Sequence, residues 1–102
     1  MNLKNYIGKR VLVRANGAGV FYGTINAKDG DEVELLNCRR LWYWDGAYSC
    51  SEIALSGVTR PASCKFSVYV PQCIIERVLE IIPCTEDAIK SIEGVPVWKM
   101  SK

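Results

Sequence analysis

The chain predicts a mainly β (α+β) fold: a small bent antiparallel sheet or an SH3-like/Sm-like barrel of five to six strands. A short mid-chain helix and a C-terminal helix complete it. Three observations carry this prediction. Turn signals arrive every eight to twelve residues through the first two thirds of the sequence, the rhythm of short paired strands. The segments between them alternate apolar and polar residues with period two, which suits a half-buried strand. A helix signature appears only near the end, at Thr85-Glu86-Asp87, where a capping hydroxyl precedes two acids. A plain α+β sheet with the last helix on one face is the second architecture these signals allow.

The elements follow in order. RVLVRA (10–15) alternates Val11, Val13 and Ala15 against Arg10, Leu12 and Arg14. The NGAG stretch at 16–19 is a flexible turn; it has no Lys-Ser/Thr and opens no helix, so it is not a phosphate-binding loop. VFYGTIN follows with Gly23 inside it, and a glycine within a strand marks a bulge or bend. Asp29-Gly30 is a hairpin turn, since Asp-Gly accepts positive φ. EVELLNC pairs back, and RRLWYW (39–44) continues it after a kink. Ser49 or Ser51 caps a short helix through SEIALS, with Gly57 as its stop and Ile53, Ala54 and Leu55 as its inward residues. Residues 58–63 read as loop. KFSVYV (65–70) alternates again, with Phe66, Val68 and Val70 on one face. CIIERVLEII (73–82) fits a helical face or a strand; its β-branched residues between Pro71 and Pro83 favour a strand. Ala88, Ile89 and Ile92 form the buried stripe of the final helix, which Gly94 ends. Val95-Pro96-Val97-Trp98 is an extended tail that docks on the barrel or on a neighbouring subunit.

The chain has 102 residues, 49% of them hydrophobic and 24% charged. These values suit one globular domain over residues 1–102 with one modest core. The net charge of +2 means that any basic surface has to be local. No apolar run approaches the roughly 18 residues that span a bilayer, and MNLKNYIGKR lacks an apolar leader core. A cytoplasmic protein with no membrane partner is expected. Five cysteines at 38, 50, 64, 73 and 84 include no Cys-x-x-Cys pair, so free buried thiols are expected rather than a zinc ribbon. Histidine is absent. That removes Ser-His-Asp and Cys-His systems and most catalytic zinc sites. The paired acids, Asp29 with Asp31 and Glu86 with Asp87, flank a turn and open a helix. A carboxylate- or lysine-based mechanism, such as a carboxylate-based hydrolase, stays open as the last alternative; the expectation is no enzyme, no cofactor and no metal site.

RRLWYW is the densest motif. On a strand, Arg40, Trp42 and Trp44 share one face, and Arg39, Leu41 and Tyr43 share the other. If Leu41 and Tyr43 point inward, the Arg40–Trp42–Trp44 face needs a cover. The mid-chain helix, a second subunit or a planar anionic ligand would each serve. Indole faces stack on bases and guanidinium forks grip phosphates. The loop at 56–65 adds Thr59, Arg60, Ser63 and Lys65 without an acid, and loops on a rigid scaffold commonly hold function.

The blocks RRLWYWDGAYS, SEIALSGVTRP, SCKFSV and EIIPCTEDAIKSIEGVPVWK resemble a family of small phage- and prophage-encoded proteins described as a domain of unknown function. The resemblance runs over about residues 9–99. It implies no activity, but it implies a mobile-element setting in a host bacterial cytoplasm. Accessory proteins of this size in that setting often inhibit host defence or bind nucleic acid. The expected function is a non-catalytic counter-defence protein that sequesters a nucleotide-type signal, such as a cyclic nucleotide or a cyclic ADP-ribose-like molecule. Trp42, Tyr43 or Trp44 would stack on a ring. Arg39, Arg40, Arg60 and Lys65 would contact phosphates, and Ser49, Ser51 and Thr59 would hydrogen-bond. The alternatives are a protein-binding inhibitor of a host defence complex, with RRLWYW as its hot spot, and a small-barrel RNA- or DNA-binding protein. A homo-oligomer is expected, because the aromatic strand is more apolar than one sheet face needs and edge strands have to be covered.

Overall fold

The structure, a computed structural model, describes residues 3–100; the expected leaderless N-terminus falls partly on Met1 and Asn2, outside them. After a 3₁₀ turn at Leu3–Tyr6 come β1 (Arg10–Ala15), β2 (Gly19–Asp29), β3 (Glu32–Tyr43), α1 (Cys50–Ser56), β4 (Lys65–Phe66), β5 (Val70–Ile75), β6 (Val78–Pro83) and α2 (Glu86–Glu93). The six strands form one antiparallel sheet. β6, β1, β2 and β3 lie side by side. β3 then carries β5 along its first half, Val33 facing Ile75, and β4 at its end, Leu41 facing Phe66. β5 and β6 stand at opposite ends of this path, yet only Glu76 and Arg77 separate them in the chain. The sheet therefore curls until its first and last strands are neighbours, which makes it the expected strongly bent, barrel-like β structure with two short helices.

Bulges produce the curl. The register between β2 and β3 shifts on either side of Thr24 and Ile25, and Asn37 takes a left-handed φ of 49° inside β3, a conformation Asn tolerates. Gly23 sits at the first shift. A Cβ there would meet Leu36 O at 3.1 Å and Leu35 Cβ at 3.2 Å, so glycine permits the close approach.

Curling buries both faces of the sheet. The inner core holds Val11, Val13, Phe21, Ile25, Val33, Leu35 and Ile75. The outer core lies under the helices, where Leu12, Tyr22, Leu41 and Phe66 meet Ile53, Ala54, Ala88 and Ile92. Leu12 thus belongs to a second core, and β1 reads as a nearly continuous buried run rather than an amphipathic one.

Both helices start and stop as expected. The Ser49 hydroxyl accepts from Glu52 N and Gly57 closes α1; Thr85 accepts from Ala88 N and Gly94 closes α2. Leu55 is exposed, not inward.

Two strands differ from expectation. The expected strand over 65–70 breaks after Phe66. Ser67 bonds to both backbone groups of Arg40, its hydroxyl accepting from Arg40 N and its N–H donating to Arg40 O. This diverts the chain, and Val68 and Val70 are exposed. Residues 73–82 are strand, but two strands rather than one, turned at Arg77 with φ of 57°. The tail lies against β4: Val97 bridges to Phe66 and Trp98 N donates to Phe66 O. No helix among the described residues is long and apolar enough to cross a membrane. All five cysteines are free thiols; Cys38 and Cys64 are buried and the others half-buried.

Candidate functional site

The RRLWYW strand end does not divide by simple alternation. Leu41 is buried, as expected, but Tyr43 is exposed, so the inward assignment of Tyr43 is corrected. Beyond Leu41 the strand leaves the core and is flanked only by two-residue β4, so alternate residues no longer meet opposite layers.

Arg39 is the largest departure. It is 1% exposed. Its Nε donates to Ser67 O, Nη1 to Ile92 O and Val95 O, and Nη2 to Phe66 O, at 3.0 to 3.3 Å. Its guanidinium also lies over the rings of Phe66 and Tyr69. The expected phosphate contact is replaced by a structural one, because the Arg39 fork ties the chain at Phe66 and Ser67 to the end of α2 through their carbonyls.

The remaining candidates fall in three places. On the first face, the Arg40 guanidinium lies 4.7 Å from the Phe21 ring centroid and 4.8 Å from that of Trp42. Trp42 is 59% exposed. Among the described residues the Arg40 side chain has no ion-pair partner and its N–H groups donate to no protein acceptor. Two adjoining hollows of about 270 and 430 Å³ share Phe21, Arg40 and Cys73. Trp42 lines the first, and the turn at 16–18 lines the second with Glu76 and Arg77. Beneath them Cys38 is held protonated, its pKa pushed to about 12 by burial and by the neighbouring Cys73, so this wall is neutral.

The second place lies on the other face. Lys65 Nζ sits 6.0 Å from the Tyr43 ring centroid and 5.5 Å from that of Trp98. The third is a hollow of about 340 Å³ lined by Trp44, Asp45, Tyr48, Thr59 and Arg60. Here Arg60 pairs with Asp45 at 3.2 Å, Thr59 donates to Gly46 O, and Trp44 packs against the outer core. Ser49 is spent as a helix cap, and Ser51 is exposed on the first turn of α1. The expected single site is thus dispersed. Phe21 and Arg77 were not foreseen, because their approach to Arg40 depends on bulge positions and on the β5–β6 turn.

The fold is a small, strongly bent antiparallel β structure with two short helices, and one of its faces carries an arginine–aromatic stack open to solvent. A heptameric archaeal Sm protein, reported for its implications for the eukaryotic snRNP core, superposes with a TM-score of 0.52 at 17% identity, covering 81% of this chain and 96% of that one. The likeness is one of fold. No curated protein matches the chain. The chain belongs to the family described as "Domain of unknown function (DUF6948)", whose model matches residues 8–92.

Proposed function

We propose that this protein is a non-catalytic binding module that captures a nucleotide-type ligand on the Phe21–Arg40–Trp42 face. The observation that carries this reading is the state of Arg40. Its guanidinium is held between two rings while its N–H donors have no protein partner. Such a fork is pre-oriented for a phosphate, and the open Trp42 face beside it offers a base about 1–3 kcal/mol of stacking. The histidine-free composition supports capture without turnover. In a phage or prophage setting, sequestering a cyclic nucleotide or cyclic ADP-ribose-like signal would serve counter-defence.

Calorimetry against AMP, cyclic nucleotides and ADP-ribose isomers tests the reading. The wild type binds at least one at micromolar concentration, and Arg40→Ala or Trp42→Ala weakens it at least about tenfold. No binding at tens of micromolar would sink it.

A second reading has its own support. The Sm-like neighbour is a heptamer, and here the free edges of β5 and β6 carry exposed Ile74 and Leu79. A homo-oligomeric barrel that binds single-stranded RNA along joined Arg40 faces fits these edges. Its affinity for oligonucleotides would fall steeply with salt, whereas stacking-dominated capture of a mononucleotide would fall gently.

A further inference from the structure

We infer that Arg77 is a second anion anchor of the same face, so that the ligand carries at least two phosphates beside a planar base. The inference rests on the nucleotide reading above and narrows it. Arg77 and Arg40 line one hollow of about 430 Å³, and that hollow adjoins the one lined by Trp42. A base on Trp42 with its first phosphate at Arg40 would extend toward Arg77. Among the described residues, Arg77 has no ion-pair partner, and its side chain donates to no protein acceptor. The hollow carries two guanidinium groups against one acid, Glu76.

The backbone at Arg77 supplies a separate observation. Its φ is 57°, a left-handed conformation that disfavours a long side chain and suits Gly, Asn or Asp. The turn is pinned on both sides: Asn16 N donates to Arg77 O and Val78 N donates to Asp31 O, each at 2.9 Å. Packing of the turn would be served equally well by glycine or asparagine. An arginine held there at a conformational cost, on the rim of a hollow that already contains Arg40, points to a use for its charge.

The experiment measures binding of AMP, ADP and the dinucleotide pApA to the wild type, Arg77→Asn and Trp42→Ala, with thermal melting in parallel. Arg77→Asn keeps a residue that tolerates the turn, and Arg77→Gly serves as a second variant of the same kind. The wild type is expected to bind ADP or pApA about tenfold tighter than AMP; which of the two gains shows whether the phosphates are adjacent or one nucleotide apart. Arg77→Asn erases that preference by weakening ADP or pApA much more than AMP, and it melts no lower than the wild type. Trp42→Ala weakens all three ligands. If Arg77→Asn leaves every affinity unchanged while Trp42→Ala lowers them, the nucleotide reading stands and the second anchor is refuted. If the wild type binds none of the three, the second anchor is refuted, and the nucleotide reading falls with it if the cyclic nucleotides and ADP-ribose isomers fail to bind as well.

Discussion

Arg39 and Arg40 are adjacent, identical in type and opposite in role. Arg39 is consumed by four carbonyls and two rings; Arg40 presents unspent donors between Phe21 and Trp42. Chemical denaturation should separate them. Arg39→Ala takes the donor away from the carbonyls of Ser67 and Val95 and should cost roughly 3–5 kcal/mol. Arg39→Lys should recover little, since an ammonium cannot reproduce the fork. Trp42→Ala should stay within about 1 kcal/mol of the wild type, because the indole is mostly solvated. Equal losses would refute the division. Tyr22 makes a second residue-level prediction. Its hydroxyl donates to Glu93 at 2.6 Å. Burial, then that bond to a carboxylate, push its pKa far above the ordinary value of about 10. The folded chain keeps the phenolic proton while the unfolded chain releases it. The stabilisation is therefore complete below about pH 10 and declines as pH rises above it. Tyr22→Phe should cost about 1–2 kcal/mol at neutral pH and make the alkaline decline shallower. An unchanged alkaline slope would contradict the assignment.

The helices depend on one close approach. Gly57 ends α1 at φ of 81°, and a Cβ there would collide with the Ser91 side chain of α2. Ser91 in turn accepts from Val58 N and donates to Val58 O. Gly57→Ala should destabilise by about 2–3 kcal/mol, and Gly57→Ala with Ser91→Gly should recover only part of this, because the positive φ remains. Full recovery would mean that the collision alone matters. The caps of α1 and α2 were legible because they are local: a hydroxyl, three residues, a backbone N–H. The break after Phe66 was not legible. Ser67 is an ordinary strand residue by pattern, and only the arrival of Arg40 beside it turns the chain aside. The split of 73–82 into β5 and β6 was hidden for a similar reason, since Glu76 and Arg77 carry no Gly, Pro or Asn to mark a turn.

The path of the sheet leaves β5 and β6 adjacent but unpaired with each other. Each offers one free edge, with Ile74 65% and Leu79 58% exposed. Head-to-tail pairing of β5 with the β6 of another copy would cover both. Light scattering should find an oligomer, and Ile74→Glu with Leu79→Glu should shift it toward monomer without lowering helix content. A monomeric wild type at micromolar concentration would exclude this assembly.

Local chemistry made much of this protein readable in advance: the β meander, the Asp29-Gly30 hairpin, the bulge at Gly23, the caps at Ser49 and Thr85, and the stops at Gly57 and Gly94. Each depends on a few neighbouring residues whose backbone preferences agree. The roles of the RRLWYW residues depend instead on how far the sheet curls. Curling buries a second face, which draws in Leu12 and Arg39, leaves Tyr43 in solvent, brings Phe21 against Arg40, and puts Arg77 on the same hollow. Alternation tells which residues share a face of a strand. It carries no information on how many faces are buried, because that is set by closure of the sheet over distances the pattern does not reach.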